Sequence, residues 1–256
     1  MATATRQGTR DRHERLLALV RSGKTHVHDL SAALGVSTST VRRDLGRLSE
    51  AGALNRVYGG VATGGTFRER ALTERMSVET EAKAAIGLRA ADLVPQGGTI
   101  FLDAGSTCAQ LAEHLRGRSG LTVLTRGLEI ALLLASEPGL EVVVVGGRVA
   151  MKSHGLVGSL TDLTLDRFMV DVAFLGVDAL DPVDGVGEPT LTEAHVKEVA
   201  ARRGRKVVVL ADATKLHRGA VPAWAPLPEN WTLVTNELDE EVLDRYRSHG
   251  VDVISA

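Results

Sequence analysis

From residue 99 to residue 254, short runs of Val, Leu and Ile alternate with longer segments of helical periodicity, and this alternation most constrains the fold. Strands are predicted over 99–103, 121–125, 141–145, 171–176, 206–211, 232–235 and 251–254. Helices are predicted over 77–93, 108–115, 128–136, 160–168, 193–203 and 240–248. A continuous apolar run suits a strand covered on both faces, and an intervening helix returns the chain for parallel pairing. The expectation is an α/β domain with a mostly parallel sheet, whose ligands bind in a crevice at the carboxyl ends of the strands. Only 3% of the residues are aromatic, so its core must be aliphatic.

The first sixty residues follow another pattern. Leu16, Leu17 and Val20 recur at helical spacing before a break at Ser22-Gly23, and Leu30, Ala33 and Leu34 form a second apolar face that Gly35 closes. Ser37 is placed to cap a third helix carrying Val41, Leu45 and Leu48, which stops at Ala51-Gly52. Two short helices joined by Gly35-Val36-Ser37 predict a helix-turn-helix. The alternating run 54–57, followed by Tyr58-Gly59-Gly60-Val61, predicts a hairpin wing. Residues 1–60 hold ten Lys/Arg against five Asp/Glu, whereas the remainder holds twenty against twenty-seven. A basic head on an acidic body points to a polyanion partner for the head alone. Ser37, Ser39, Thr40, Arg42, Arg43 and Arg47 on the third helix, with Arg56 on the wing, are the candidate duplex-DNA contacts, because hydroxyls and guanidiniums match base edges and phosphates. The competing reading is a plain three-helix bundle with a solvated basic face. The domains are therefore set at 1–62 and 76–256, with a linker over 63–75 that is small and flexible at first and then charge-rich.

Polar residues gather where the strands should end. Asp103-Ala104-Gly105-Ser106-Thr107 follows a strand and opens a helix, so its amides and hydroxyls can surround an anion, although an ordinary capped turn fits equally well. It is neither a Walker loop nor G-x-G-x-x-G, which removes a dinucleotide-dependent oxidoreductase from consideration. Thr125-Arg126-Gly127, Gly146-Gly147-Arg148, Gly176-Val177-Asp178 and Asp212-Ala213-Thr214-Lys215 repeat the placement. Glu193 and Lys197 are one helical turn apart, and spacing alone favours a surface ion pair between them. The single cysteine, Cys108, excludes an internal disulfide and suits a reducing cytoplasm. The eight histidines show no metal-ligand spacing, and the apolar runs are too short for a membrane span. No cofactor is expected.

The runs Leu34-Gly35-Val36-Ser37, Thr40-Val41-Arg42-Arg43-Asp44-Leu45 and Val57-Tyr58-Gly59-Gly60-Val61 resemble the DeoR family of bacterial regulators, with Tyr58 in place of the usual His. Lys83 to Gly87, Gly98 to Ile100, the 103–107 loop, Gly146-Gly147, Glu193 to Lys197 and Asp212 to Lys215 extend the resemblance to its sensor domain, itself similar to ribose-5-phosphate isomerase A. The resemblance implies a repressor of carbohydrate-metabolism genes, not an enzyme, that binds operator DNA as a homo-oligomer and a phosphorylated sugar or polyol as effector. It places Lys83, Gly105, Ser106 and Thr107 at a phosphate, and Asp103, Thr125, Arg126, Gly147, Asp178, Glu193, Lys197, Asp212 and Lys215 around the same crevice. Arg126 stands where these regulators usually have Asn. An isomerase with an accessory basic domain is the competing function, and the missing Lys-Gly-Gly-Gly run and incomplete acidic box count against it.

Overall fold

The computed structural model describes residues 12–19, 27–50, 54–57, 60–63, 69–216 and 220–256. Val20, Ser22-Gly23, Ala51-Gly52, Tyr58-Gly59 and the flexible stretch expected after Thr63 lie outside the described residues. The chain divides into two units, 1–68 and 69–256.

In the first unit, helix α1 covers residues 12–19, α2 spans Val27–Leu34 and α3 spans Thr38–Glu50. Leu16, Leu30, Val41, Leu45 and Leu48 form its core, as their spacing requires. Asp44 on α3 is buried and accepts from Arg12 Nε at 2.6 Å, while His13 Nε2 lies 3.2 Å from its other oxygen, which ties α1 to α3. Burial opposes ionisation of Asp44, but Arg12 and His13 outweigh it and hold the carboxyl below its usual range. Strands β1 (Leu54–Val57) and β2 (Gly60–Thr63) pair antiparallel with Leu54 opposite Thr63, forming the predicted hairpin.

The second unit opens with α4 (Leu72–Met76) and α5 (Thr80–Ala91). It continues through β3 (Gly98–Leu102), α6 (Ser106–Glu113), β4 (Leu121–Thr125), α7 (Leu128–Leu134) and β5 (Leu140–Val144). A two-residue ribbon, β6 (Arg148–Val149) with β7 (Leu156–Val157), precedes α8 (Ser159–Leu165) and β8 (Val170–Gly176). Then follow β9 (Ala179–Asp181), β10 (Gly185–Glu188), α9 (Leu191–Arg203) and β11 (Gly204–Leu210). Strands β12 (Ala223–Ala225) and β13 (Thr232–Thr235), helix α10 (Glu240–Arg247) and strand β14 (Asp252–Ser255) complete it.

The seven predicted strands form one sheet in the order β14-β13-β11-β8-β3-β4-β5, with every pairing parallel. Both faces are covered. Along β8, Ala173 and Leu175 belong to one core and Val172 and Phe174 to the other. The first core takes apolar residues of α8, α9 and α10; the second takes those of α5, α6 and α7. The chain leaves β3 in one direction through β4 and β5 and resumes on the other side of β3 with β8. That reversal puts the topological switch point at the carboxyl ends of β3 and β8, the place where α/β sheets bind ligands in a crevice.

Two features depart from expectation. Strands β9, β10 and β12 form a separate antiparallel sheet that no periodicity announced. Residues 69–75, read as the end of the linker, belong to the second unit: Leu72 is buried, and its amide donates to Lys152 O at 2.7 Å.

Candidate functional site

On α3, Ser37 caps the helix as predicted, its Oγ accepting from the Thr40 amide at 3.2 Å and lying 2.8 Å from the hydroxyls of Ser39 and Thr40. Ser39, Arg43 and Arg47 are exposed on the side away from Val41, Leu45 and Leu48. The side chains of Arg42 and Arg56 lie outside the described residues.

At the switch point of the second unit, Asp103 follows β3 and is fully buried. One carboxylate oxygen accepts from the Ala104 amide at 2.8 Å and from Arg126 Nε; the other accepts from Lys197 Nζ at 2.8 Å and the Gly176 amide at 3.2 Å. Gly176 ends β8, so this one carboxylate bridges the crevice. Lys197, on α9, also meets Glu188 of β10 at 2.7 Å and donates to Gly176 O. Burial opposes the charge on Asp103, but Arg126 and Lys197 prevail and lower its pKa. Burial pushes Glu188 up to about 8 against the pull of Lys197.

Glu193 and Lys197 do not form the surface pair that their spacing favoured. Both are buried, and they reach different partners. Glu193 accepts from Ser153 Oγ at 2.7 Å and Thr190 Oγ1 at 2.9 Å. Arg126 is buried in the pair with Asp103, and among the described residues its Nη1 has no acceptor. Gly155 makes room for it, since a Cβ there would stand 2.4 Å from Nη1 and 3.1 Å from Ala104 Cβ. Thr125 is buried, and its Oγ1 accepts from the Gly127 amide at 3.0 Å.

In a second group, Asp178 and Lys215 are partly exposed, whereas Asp212 and Lys83 are buried. Lys215 Nζ is 3.8 Å from Asp178, and Arg75 Nη1 donates to the same carboxylate at 3.3 Å. Asp212 accepts from the amide and hydroxyl of Thr214. Lys83 is buried, with Nζ donating to Arg75 O at 2.6 Å and to Val78 O. Burial lowers its pKa, opposed by Asp212. Gly105, at φ 124°, turns the chain into α6 in a backbone region that side chains rarely adopt. Ser106 is buried and Thr107 partly exposed at that helix start. Gly147 is exposed beyond β5, between it and β6. Among the described residues no group of three His, Cys, Asp or Glu could hold a metal, and no helix is long and apolar enough to cross a membrane.

Sequence reasoning missed Arg75, Glu188, Ser153 and Gly155. Arg75 was hidden in a charge-rich stretch, and the others follow no local spacing.

Residues 12–64 match the DeoR-like helix-turn-helix domain, and residues 78–237 match the DeoR C-terminal sensor domain. The chain belongs to the DeoR family. The HTH-type transcriptional repressor CsqR of Escherichia coli is 31% identical over 245 residues, covering 95% of this chain and 94% of that protein. The HTH-type transcriptional regulator GlpR of Haloferax volcanii is 32% identical over 95% of this chain and 96% of its own length. A glycerol-3-phosphate regulon repressor of Haemophilus influenzae is 30% identical over 91% of each. Among solved structures, ribose 5-phosphate isomerase A of Methanocaldococcus jannaschii aligns with a TM-score of 0.39 at 20% identity, over 53% of this chain and 54% of that one.

Proposed function

We propose that this DeoR-family chain is a cytoplasmic, sequence-specific repressor of carbohydrate-metabolism genes that binds operator DNA as a homo-oligomer and is controlled by a phosphorylated sugar or polyol. The observation that carries the DNA-binding half is α3, capped by Ser37, with Val41, Leu45 and Leu48 buried and Ser39, Arg43 and Arg47 free to meet a major groove. A single short helix reads too few base pairs for genomic selectivity, which supports pairing of protomers on half-sites.

The effector half is supported by the crevice beside β3. Its 105–107 loop presents amides at a helix start to an anion, and Asp178, Asp212 and Lys215 supply polar groups around it. Asp103 and Lys197, already engaged with protein partners, hold the crevice together instead of turning substrate over. The glycerol-3-phosphate regulon repressor among the relatives fits an effector of this class.

Operator fragments selected from random duplexes provide one test. Arg43→Ala should cost about 1–3 kcal/mol of operator affinity, and binding should weaken steeply with salt. A thermal-shift panel of phosphorylated sugars and polyols tests the other half, since a ligand at about 100 times its Kd adds roughly 2.7 kcal/mol of stability. Unchanged operator affinity in the Arg42→Ala, Arg43→Ala double variant refutes the DNA assignment, and isomerase turnover refutes the sensor assignment.

A further inference from the structure

Arg75 sits on α4, the first helix after the division between the two units. Its segment is tied down from several sides. Lys152 Nζ donates to Glu69 O at 2.8 Å, the Leu72 amide donates to Lys152 O at 2.7 Å, and Lys83 holds the carbonyls of Arg75 and Val78. The guanidinium itself is weakly used. Among the described residues only Nη1 reaches a carboxylate, that of Asp178 at 3.3 Å, whereas Nε and Nη2 are buried and have no acceptor.

Those two atoms form one edge of the guanidinium, whose parallel N–H bonds match two oxygens of a phosphate or carboxylate. Leaving charged donors buried and unpaired is costly, so such a fork in a native fold calls for an acceptor. Helix α4 packs beside α6, the helix that opens at Gly105-Ser106-Thr107. On the same segment, Glu69 Oε1 is buried with no donor among the described residues, and the pKa of its carboxyl is raised by burial, with Glu193 and Asp178 adding to the effect. One short segment thus offers an unused fork for an anion and an unused acceptor for a hydroxyl.

We propose that the Nε–Nη2 edge of Arg75 binds the effector's phosphate together with the helix start at Ser106 and Thr107, and that the segment 69–78, already anchored to the sensor unit, is the strap which occupancy tightens further. The proposal rests on the sugar-phosphate reading above and deepens it by naming a contact and a route. The strap is the covalent entry to the sensor unit from the DNA-binding unit. A ligand that prefers the tightened strap shifts the equilibrium of whatever the strap constrains, which equal affinity for both states would not do.

Inorganic phosphate, titrated into the full-length chain and followed by melting temperature, is the first probe. It should stabilise the wild type, with a midpoint several-fold higher in Arg75→Lys, which keeps the charge but lacks the fork, and at least about tenfold higher in Arg75→Gln. Should Arg75→Gln fail to fold, Arg75→Lys carries the comparison because it still faces Asp178 with a cation. Amide exchange across 70–78 should slow on phosphate addition in the wild type and stay unchanged in the Gln variant. Equal phosphate midpoints in wild type and variants, or a wild type indifferent to phosphate, overturn the proposal. A sugar phosphate that binds wild type and Arg75→Gln equally removes Arg75 and leaves the sensor reading intact, whereas a panel in which no sugar phosphate binds the wild type removes both.

Discussion

Replacing Asp103 by Asn tests whether this carboxylate holds the sensor unit together. All four of its partners are donors: Arg126 Nε and the Ala104 amide on one oxygen, Lys197 Nζ and the Gly176 amide on the other. An Asn offers one acceptor and one donating amide, so whichever way it turns, one pair of donors faces another donor, and the buried Arg126 and Lys197 lose their shared counter-charge. Removing one partner from a buried ionic network costs about 3–5 kcal/mol, and in a unit of this size each kcal/mol moves the melting temperature by about 2–4 °C, giving a fall of roughly 6–20 °C. Arg126→Met should cost less, about 1–3 kcal/mol, because Asp103 keeps Lys197 and both amides. Thermal and urea unfolding at neutral pH, followed by circular dichroism, reads both variants. The pH dependence has a definite sign. A carboxyl whose folded pKa is lowered contributes its stability above the unfolded value, near 3.9, and loses it as pH falls through the lower folded value. The advantage of wild type over Asp103→Asn should therefore persist down to about pH 4 and shrink only below it. An Asn variant within about 1 kcal/mol of wild type, or an Arg126→Met variant less stable than the Asn variant, would refute the reasoning.

Gly155→Ala should cost about 1–3 kcal/mol by crowding Arg126 Nη1 and Ala104, and the loss should shrink in an Arg126→Met background; equal losses in both backgrounds would place the strain elsewhere. Glu188→Gln tests the opposite linkage. The folded state holds the Glu188 proton up to about pH 8, so wild type should lose stability relative to the Gln variant as pH rises from about 4.5 to 8, and parallel urea midpoints across that range would contradict it. Asp44→Ala should destabilise the first unit by about 1–3 kcal/mol, read as faster amide exchange at Val41, Leu45 and Leu48 in the full chain, and unchanged exchange would show that Arg12 adds nothing there.

The seven-stranded sheet was legible because its strands are covered on both faces. Val207, Val208, Val209 and Leu210 divide between the two cores, so the run reads as unbroken apolar sequence. Strand β10 carries Gly-Val-Gly-Glu and β12 only three residues, which leaves no periodicity to detect. Helix α4 was missed for a related reason. It has five residues and one buried apolar side chain, Leu72, and its place depends on Lys83 Nζ, which holds the Arg75 carbonyl, and on the Leu72 amide, which donates to Lys152 O.

Position along the chain identified the strand ends, but not what their side chains would do there. Asp103, Arg126, Glu188 and Lys197 meet only because β3, β4, β10 and α9 converge, and no spacing within one element encodes that meeting. Glu193 and Lys197 illustrate the consequence. One turn apart on a helix that is buried at both positions, they are turned toward Ser153 and Thr190 in one case and toward Asp103 and Glu188 in the other. Burial decides the outcome: a solvated pair gains little from closing on itself, whereas a buried charge must be matched wherever its counter-charge lies. Asp103, with all four of its partners donating, braces the strand ends, whereas Arg75 keeps two buried donors without an acceptor among the described residues and Lys215 stays partly exposed.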